Sequence, residues 1–167
     1  ERSQPKIAPS SSHHKKTNTQ AHRYDKHSVK ASHFGINPRM FSRNAITVVE
    51  KLQRQGYEAY IVGGCLRDLL LGKHPKEFDV ATNARPDQIQ AVFQRQCRLV
   101  GRRFRLAHIM FGRDVIEVAT FRANHSDARS ENQAKQSDEG MLLRDNVYGT
   151  IEQDAERRDF TVNALYY

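Results

Sequence analysis

The 167-residue sequence contains no tryptophan, only two cysteines and no long apolar run. Its apolar segments fall well short of the roughly 18 to 20 residues that a membrane-spanning helix requires. Cys65 and Cys97 form neither a Cys-x-x-Cys pair nor a Cys/His metal spacing, so we expect both to be buried thiols. This use of cysteine, without a signal-like apolar segment, predicts a cytoplasmic protein.

Acidic residues are in the minority, with 19 Asp and Glu against 27 Lys and Arg, for a formal net charge of +8. That balance favours a polyanionic partner. Residues 1–40 alone contribute +6 and hold five of the eight histidines. Few large apolar residues occur there, so we predict that residues 1–36 form a disordered basic arm. Both a contact with nucleic-acid phosphates and a merely solvated tail agree with its composition.

The remaining residues, 37–167, have the patterns of one α+β domain. Asn37 and Pro38 predict the start of an amphipathic helix that ends at Gly56. Further helices are predicted over 65–71, from 86 and over 151–157, and strands over 59–62, 76–82, 98–100, 106–111 and 115–121. Residues 123–140 are polar enough for a loop, and 160–167 suit a strand or a buried helix. We therefore expect a mixed sheet with helices mainly on one side.

Two carboxylates in the predicted second strand are candidates for a metal site. Side chains alternate between the faces of a strand, so Glu77 and Asp79 are expected on one face while Phe78 and Val80 point to the core. Such a pair repels itself unless a cation lies between the oxygens, and oxygen ligands of this kind suit Mg²⁺.

A diglycine, Gly63-Gly64, lies between the first predicted strand of the domain and the helix that follows it. Glycine lets the backbone N–H groups approach a phosphate closely, at the positive end of a helix dipole. Together with Glu77 and Asp79, this turn would hold a metal–triphosphate.

Four segments in order resemble the bacterial poly(A) polymerase and CCA-adding tRNA nucleotidyltransferase family, within the DNA polymerase β-like superfamily. They are Gly63-Gly64-Cys65-Leu66-Arg67-Asp68-Leu69-Leu70-Leu71-Gly72, Glu77-Phe78-Asp79-Val80-Ala81-Thr82-Asn83-Ala84, Glu117-Val118-Ala119-Thr120-Phe121-Arg122 and Arg157-Arg158-Asp159-Phe160-Thr161-Val162-Asn163-Ala164. The resemblance covers roughly residues 59–167. It implies a polymerase β-like nucleotidyltransferase head over 37–167, which we expect to be a fragment that stops before the neck.

The resemblance implies template-independent addition of nucleotides to an RNA 3′ end by a two-metal mechanism. The expected cofactor is a pair of Mg²⁺ ions, with Mn²⁺ as the alternative, held by Glu77 and Asp79. The family usually has Asp at the position of Glu77. Glu77 still supplies a carboxylate, on a side chain that is longer by one methylene. Its departure from the family pattern also motivates the hypothesis that the protein is a catalytically inactive RNA-binding module.

The resemblance assigns further roles around this centre. The third catalytic carboxylate is Asp159 or Glu117, and we favour Asp159. The expected nucleotide-binding residues are Gly63, Gly64, Arg67, Asp68, Arg122, Arg158 and Asn163, of which Arg67 and Asp68 brace the glycine turn. A planar guanidinium suits phosphate oxygens.

Residues 95–113 contain six arginines and no acid. This basic run predicts RNA contacts at Arg98, Arg102, Arg103 and Arg105. It also resembles the poly(A) polymerase branch rather than the CCA-adding branch. The leading hypothesis is therefore transfer of AMP from ATP to RNA 3′ ends with release of pyrophosphate, and a CCA-adding enzyme is the alternative.

Overall fold

The computed structural model describes residues 27–102, 104–123, 148–158 and 161–167. These residues form the helices α1 (Arg43–Arg54), α2 (Gly64–Leu70), α3 (Pro86–Phe93) and α4 (Ile151–Glu156), and the strands β1 (Ala59–Val62), β2 (Asp79–Thr82), β3 (Cys97–Val100), β4 (Leu106–Phe111) and β5 (Asp114–Thr120). Most of the predicted arm, 1–26, and the predicted loop from 124 onward lie outside the described residues.

The five strands form one mixed sheet in the order β1-β2-β5-β4-β3. β2 and β5 pair in parallel, while the other three pairings are antiparallel. Because a parallel pairing cannot be closed by a tight turn, the chain crosses over through α3, β3 and β4 before β5 returns beside β2. The predicted α+β fold with a mixed sheet is confirmed.

One face of the sheet carries the main hydrophobic core. α1 contributes Val48 and Leu52, and α3 contributes Ile89, to a buried cluster that includes Val80 and Val118. The apolar residues of α1 recur at the spacing of one helix face, which explains why that face packs on the sheet. Both thiols, Cys65 and Cys97, are free and buried as predicted.

A smaller cluster lies on the opposite face, against β1 and β2. Val62 and Ala81 follow the core residues Ile61 and Val80 by one position, so they point the other way. They pack with Phe121 and with Ile151 of α4. The helices are thus mainly on one side of the sheet, as expected, and α4 is the exception.

The predicted start of the first helix, at Asn37 and Pro38, is wrong. Asn37 caps only a single 3-10 turn, Pro38–Met40, by accepting a hydrogen bond from the Arg39 amide at 3.0 Å. Phe41 is extended and buried, which interrupts the helix. α1 begins after Ser42, whose hydroxyl accepts a hydrogen bond from the Ala45 amide at 3.3 Å.

The packed core also begins before that helix. Ile36 is buried in the main cluster, and a 3-10 turn at Ala31–Phe34 precedes it. The described end of the predicted arm therefore contains a residue of the core, one position before the predicted boundary at 37.

The second predicted strand, 76–82, begins later than expected, at Asp79. Val62, the last residue of β1, pairs with Asp79, and the chain then turns away at Gly63. Glu77 and Phe78 therefore have no partner on β1, and Glu77 lies in an exposed segment just before the strand.

The last residues, 161–167, combine a 3-10 turn with extended backbone. After the turn Thr161–Asn163, Tyr167 exchanges two backbone hydrogen bonds with Ile61, each of 2.8 Å. Leu165 accepts a third from Gly63 at 3.2 Å. This segment covers the outer edge of β1 beside the diglycine.

Within the described part of the chain, no helix has the length and apolar character needed to span a membrane.

The two caps predict different contributions to stability. Ser42→Ala removes the N-cap of a 12-residue helix that supplies the core, so we expect a loss of about 1 kcal/mol. Asn37→Ala, the matched control, removes the cap of one 3-10 turn and should cost clearly less. Urea unfolding of both variants measures the difference. An equal or larger loss in Asn37→Ala would contradict this assignment of the helix start.

Candidate functional site

Two carboxylates from distant parts of the chain meet at the parallel pairing of β2 and β5. Asp79 and Glu117 are direct partners in the register of these strands. Neighbouring strands are about 4.8 Å apart and paired residues project from the same face. Glu117, on the neighbouring strand as predicted, is thus beside Asp79. Asp159, the other candidate for a third carboxylate, lies outside the described residues.

The charge around Asp79 is strongly negative. Partial burial raises the pKa of the Asp79 carboxyl, and the nearby charges of Glu117 and Glu77 raise it further. Arg158 acts in the opposite direction. The strand register brings Asp79 and Glu117 together, whereas Glu77 lies before the strand and acts on Asp79 through its charge. A bound cation would relieve this repulsion.

No group of three or more His, Cys, Asp or Glu side chains in the described residues is arranged to hold a metal ion by itself. Mg²⁺ commonly takes only one or two carboxylates and completes its shell with water and substrate phosphates. The oxygen donors of Asp79 and its acidic neighbours fit an ion that is bound in this shared way.

The diglycine turn lies under two guanidinium groups. Gly63 has φ 81° and ψ −142°, a conformation that is essentially restricted to glycine. A Cβ on Gly63 would lie 3.7 Å from Nη1 of Arg158, and one on Gly64 only 3.2 Å from Nη2 of Arg67. Gly63 is thus required by its backbone conformation, and Gly64 by the close approach of the Arg67 guanidinium.

Arg67 is oriented by two predicted site residues. Its Nε donates to Asp68 at 3.2 Å, and its Nη1 donates to the side-chain oxygen of Asn163 at 3.1 Å. Asn163 is the last residue of the 3-10 turn near the end of the described chain, so α2 is tied to the segment along β1. These bonds join Arg67 to Asp68 and Asn163, and the bracing of the glycine turn by Arg67 and Asp68 stays a prediction.

Sequence reasoning missed the most buried acid of the site, Asp154, which is 1% exposed on α4. Oδ1 accepts from the Arg122 amide at 3.0 Å and from Nε and Nη2 of Arg157 at 3.0 and 2.8 Å. Oδ2 accepts from Nη2 of Arg158 at 3.2 Å and from the hydroxyl of Tyr166 at 2.6 Å.

Burial alone would raise the pKa of Asp154. Hydrogen bonds from Tyr166 and from the Arg122 backbone, together with the charge and the hydrogen bonds of Arg157, lower it overall. One sequence signal was available, since Arg157 and Arg158 follow Asp154 at the i+3 and i+4 positions of a predicted helix. Nothing in the sequence placed Tyr166 beside it.

The side chain of Arg122 reaches Phe104 in the loop between β3 and β4. Its guanidinium lies over the ring of Phe104, 4.0 Å from the centroid, in a cation–π contact. Phe104 remains 41% exposed. This contact joins a predicted nucleotide-binding arginine to the predicted RNA-binding run.

A row of polar residues continues from the carboxylates across the open face of the sheet. Glu117 pairs in register with His108 of β4, and His108 pairs with Arg98 of β3. Nε2 of His108 lies 3.5 Å from the Glu117 carboxylate. Arg98, Arg102 and Arg105 are exposed, whereas Arg103 lies outside the described residues. The carboxylate site and Arg98 of the basic run therefore share one face.

Asp154 predicts a specific dependence of stability on pH. Its pKa is lowered by folding, so its contribution is present above the ordinary value of 3.8 and is lost as the pH falls through the lower folded value. At pH 7, Asp154→Asn should cost about 3 kcal/mol or more, because it leaves two partly buried arginines without their carboxylate.

The measurement is urea unfolding between pH 7 and pH 3. The difference in the free energy of unfolding between the native protein and Asp154→Asn should shrink below pH 4. Asp87→Asn is the control, since Asp87 is an exposed acid paired with Arg85. It should change stability by no more than about 0.5 kcal/mol. If the difference in unfolding free energy between the native protein and Asp154→Asn stays constant down to pH 3, the lowered pKa assigned to Asp154 is contradicted.

Comparison with known proteins shows which family this chain matches. Residues 59–167 match the family described as the Poly A polymerase head domain. The chain is 83% identical over 152 residues to Poly(A) polymerase I of Haemophilus influenzae, covering 91% of this chain and 34% of that protein. It is 60% identical over 133 residues to Poly(A) polymerase I of Salmonella typhimurium, covering 79% and 28%. The chain thus spans about a third or less of these relatives.

More distant similarity extends to CCA-adding enzymes. The enzyme of Staphylococcus haemolyticus is 35% identical over 118 residues, covering 71% of this chain and 27% of that protein. A solved structure of the Bacillus stearothermophilus CCA-adding enzyme in complex with CTP superposes with a TM-score of 0.57 at 29% identity, covering 78% of this chain and 28% of that one.

Proposed function

Because this chain belongs to the poly(A) polymerase head-domain family, we propose that it is the catalytic head of a polynucleotide adenylyltransferase. The reaction is transfer of AMP from ATP to the 3′-hydroxyl of an RNA, with release of pyrophosphate. The observation that carries the proposal is the meeting of Asp79 and Glu117 on one sheet face, next to Arg158 and the diglycine turn. The much higher identity to enzymes named poly(A) polymerase favours this reaction over CCA addition.

The acidic side of the site is proposed to hold the divalent cations. Asp79 and Glu77 would be the shared ligands, and the register favours Glu117 as the third carboxylate, with Asp159 as the alternative. Two Mg²⁺ ions, or Mn²⁺ in their place, would when bound activate the 3′-hydroxyl and stabilise the charge on the leaving pyrophosphate. The protein contributes by fixing the oxygens of Asp79 and Glu117 on two paired strands, so that little rearrangement is needed at the reaction.

The cationic side is proposed to bind the triphosphate. Arg67 and Arg158 flank the diglycine turn, where their guanidinium groups would meet phosphate oxygens. Asn163 already accepts a hydrogen bond from Arg67 through its side-chain oxygen, so a ribose contact would fall to its amide nitrogen. Arg122, stacked on Phe104, would reach the nucleotide from the side of the β3–β4 loop.

RNA is proposed to approach over the open face of the sheet. Arg98 ends the row of paired residues that begins at Asp79, and the exposed residues Arg102, Phe104 and Arg105 lie in the loop that follows β3. Arginines supply phosphate attraction, and an exposed aromatic ring supplies base stacking. Together with a cytoplasmic location, which the free buried thiols favour, this fits an enzyme that acts on RNA 3′ ends.

The reaction is tested by primer extension with the full-length protein, Mg²⁺ and single nucleotides. ATP alone should give long tails on a short RNA, and Asp79→Asn should reduce the rate by at least about 100-fold. Glu50→Gln, at an exposed acid on α1 that pairs with Arg54, should keep the native rate. Mg²⁺ should raise the Tm of the native protein in the presence of ATP, and this increase should be absent in Asp79→Asn.

The alternatives give distinct outcomes in the same assay. Addition of two C and one A to a truncated tRNA, followed by a stop, would establish a CCA-adding enzyme instead. RNA binding without extension by the native protein, together with extension by Glu77→Asp, would establish an inactive RNA-binding module.

The RNA face predicts a change in salt dependence. For single-stranded RNA, removing one arginine that neutralises a phosphate should reduce the slope of log K against log salt by about 0.7, so Arg98→Ala with Arg105→Ala should reduce it by about 1.4. Arg54→Ala is the control, because Arg54 is exposed on α1, which packs on the other face. Filter binding over a range of about 50 to 300 mM salt measures the slope.

An equal slope in the double variant and in the native protein would contradict an RNA contact at this face. Removal of residues 1–26 tests the arm separately, since it leaves the buried Ile36 in place. If the arm contacts phosphates, this deletion also reduces the slope.

A further inference from the structure

The Asp154 carboxylate accepts hydrogen bonds from Arg157 and Arg158, which follow it closely in the chain. It also accepts hydrogen bonds from the distant Arg122 amide and Tyr166 hydroxyl. We propose that Asp154 and Tyr166 form a positioning pair that holds the Arg158 guanidinium at the triphosphate site. The inference rests on the proposed function, since it concerns the nucleotide side of the same site. Neither residue belongs to the carboxylate row or to the diglycine turn.

The three side chains form a closed ring of hydrogen bonds. The Tyr166 hydroxyl donates to Oδ2 of Asp154 at 2.6 Å and accepts from Nε of Arg158 at 3.2 Å. Nη2 of Arg158 closes the ring on the same Oδ2 at 3.2 Å. A hydroxyl can donate to a carboxylate and accept from a guanidinium through the same oxygen. Tyr166 therefore fixes the orientation of Arg158 and does more than fill space.

Arg158 has a third anchor that links it to the rest of the nucleotide site. Its Nη1 donates to the backbone oxygen of Asn163 at 3.0 Å, and the Asn163 side chain accepts from Arg67. These bonds engage one N–H on each of its three nitrogens, and the remaining N–H groups on Nη1 and Nη2 are the ones available to a phosphate. A change at Asp154 or Tyr166 would be transmitted through Arg158 and Asn163 to Arg67.

The charges of Asp154 and its two arginine partners favour a role in binding an anion, in addition to a role in stability. Asp154 carries one negative charge and pairs with two arginines, Arg157 at Oδ1 and Arg158 at Oδ2. An excess positive charge therefore remains beside Gly63 and close enough to Asp79 to lower its pKa. This remaining positive charge would attract a triphosphate, whose oxygens accept hydrogen bonds from guanidinium groups.

The ring of Tyr166 is itself held rigidly. It contacts Tyr60 and Phe121 edge to face, with centroid distances of 6.1 and 6.4 Å, and its backbone bridges to Val62. Burial and the Asp154 carboxylate raise the pKa of Tyr166, which keeps the hydroxyl protonated. The hydroxyl is thus presented at a fixed point between α4 and the sheet.

The test is Tyr166→Phe in the full-length protein, with Tyr167→Phe as the matched control. Tyr166→Phe keeps the ring and its packing and removes the hydroxyl from both partners. We expect KM and Kd for ATP to rise about tenfold and KM for RNA to stay within about twofold, because a loosened Arg158 affects the triphosphate alone. Tyr167 stacks on Phe41 at a centroid distance of 4.2 Å in the main core, so Tyr167→Phe should leave all three constants unchanged.

A second variant separates positioning from stability. Arg157→Gln removes the guanidinium that pairs with Oδ1 and leaves the Arg122 amide and the ring at Oδ2 in place, so it should lower the Tm without changing Kd for ATP. Asp154→Asn should combine both effects, and Tyr166→Phe keeps the inference testable if Asp154→Asn does not fold.

An unchanged Kd for ATP in Tyr166→Phe overturns the inference, whatever the Tm. Equal changes in Kd for Tyr166→Phe and Arg157→Gln would also overturn it, because they would indicate general loosening. Binding of ATP by the native protein without RNA extension would overturn the proposed function alone, since Kd still reports on Arg158. Native protein that does not bind ATP would overturn both.

Discussion

The parallel pairing of β2 with β5 is the constraint on which the site depends. It places Asp79 and Glu117 in direct register, although a helix and two strands separate them in the chain. Because paired residues share a face, the two carboxylates must project together, and the raised pKa of Asp79 reflects the resulting repulsion as well as its partial burial. A shift of one residue in this register would turn Glu117 into the core and separate the pair.

A second fixed point, Asp154, holds the cationic side. It joins the backbone after β5, the end of α4 and the segment along β1 through the amide of Arg122, Arg157 with Arg158, and Tyr166. The two centres have opposite electrostatics. The acids at Asp79 repel one another in the absence of a cation, whereas the carboxylate at Asp154 is stabilised by its donors and its pKa is lowered. Arg158 is the residue that both centres share.

Local patterns predicted much of this fold. β1 and β4 occur at the predicted residues, and Pro86 starts α3, because each has a clear period and a glycine or proline boundary. The predicted start of α1 was wrong because Asn37 and Ser42 are both good caps and only the burial of Phe41 decides between them. Glu77 was placed on a strand because alternation continues through it, yet β1 has already turned away at Gly63. Local sequence carries no information on where a partner strand ends.

The candidate site was predictable in so far as its residues lie in local motifs. Gly63, Asp79 and Arg158 each belong to a short recognisable segment, whereas the ring of Asp154, Tyr166 and Arg158 exists only after α4 and the last residues meet across β1. In its local sequence, Asp154 resembles the acids Glu152 and Glu156 on the same helix, which are exposed. What distinguishes it is desolvation, a property of the tertiary structure. Buried polar groups must be satisfied, so a fully buried acid in a short helix marks the residues that donate to it. Here those donors include Arg158, beside Gly63 of the diglycine turn, so the burial of Asp154 on α4 constrains the side of the site that is proposed to bind the triphosphate.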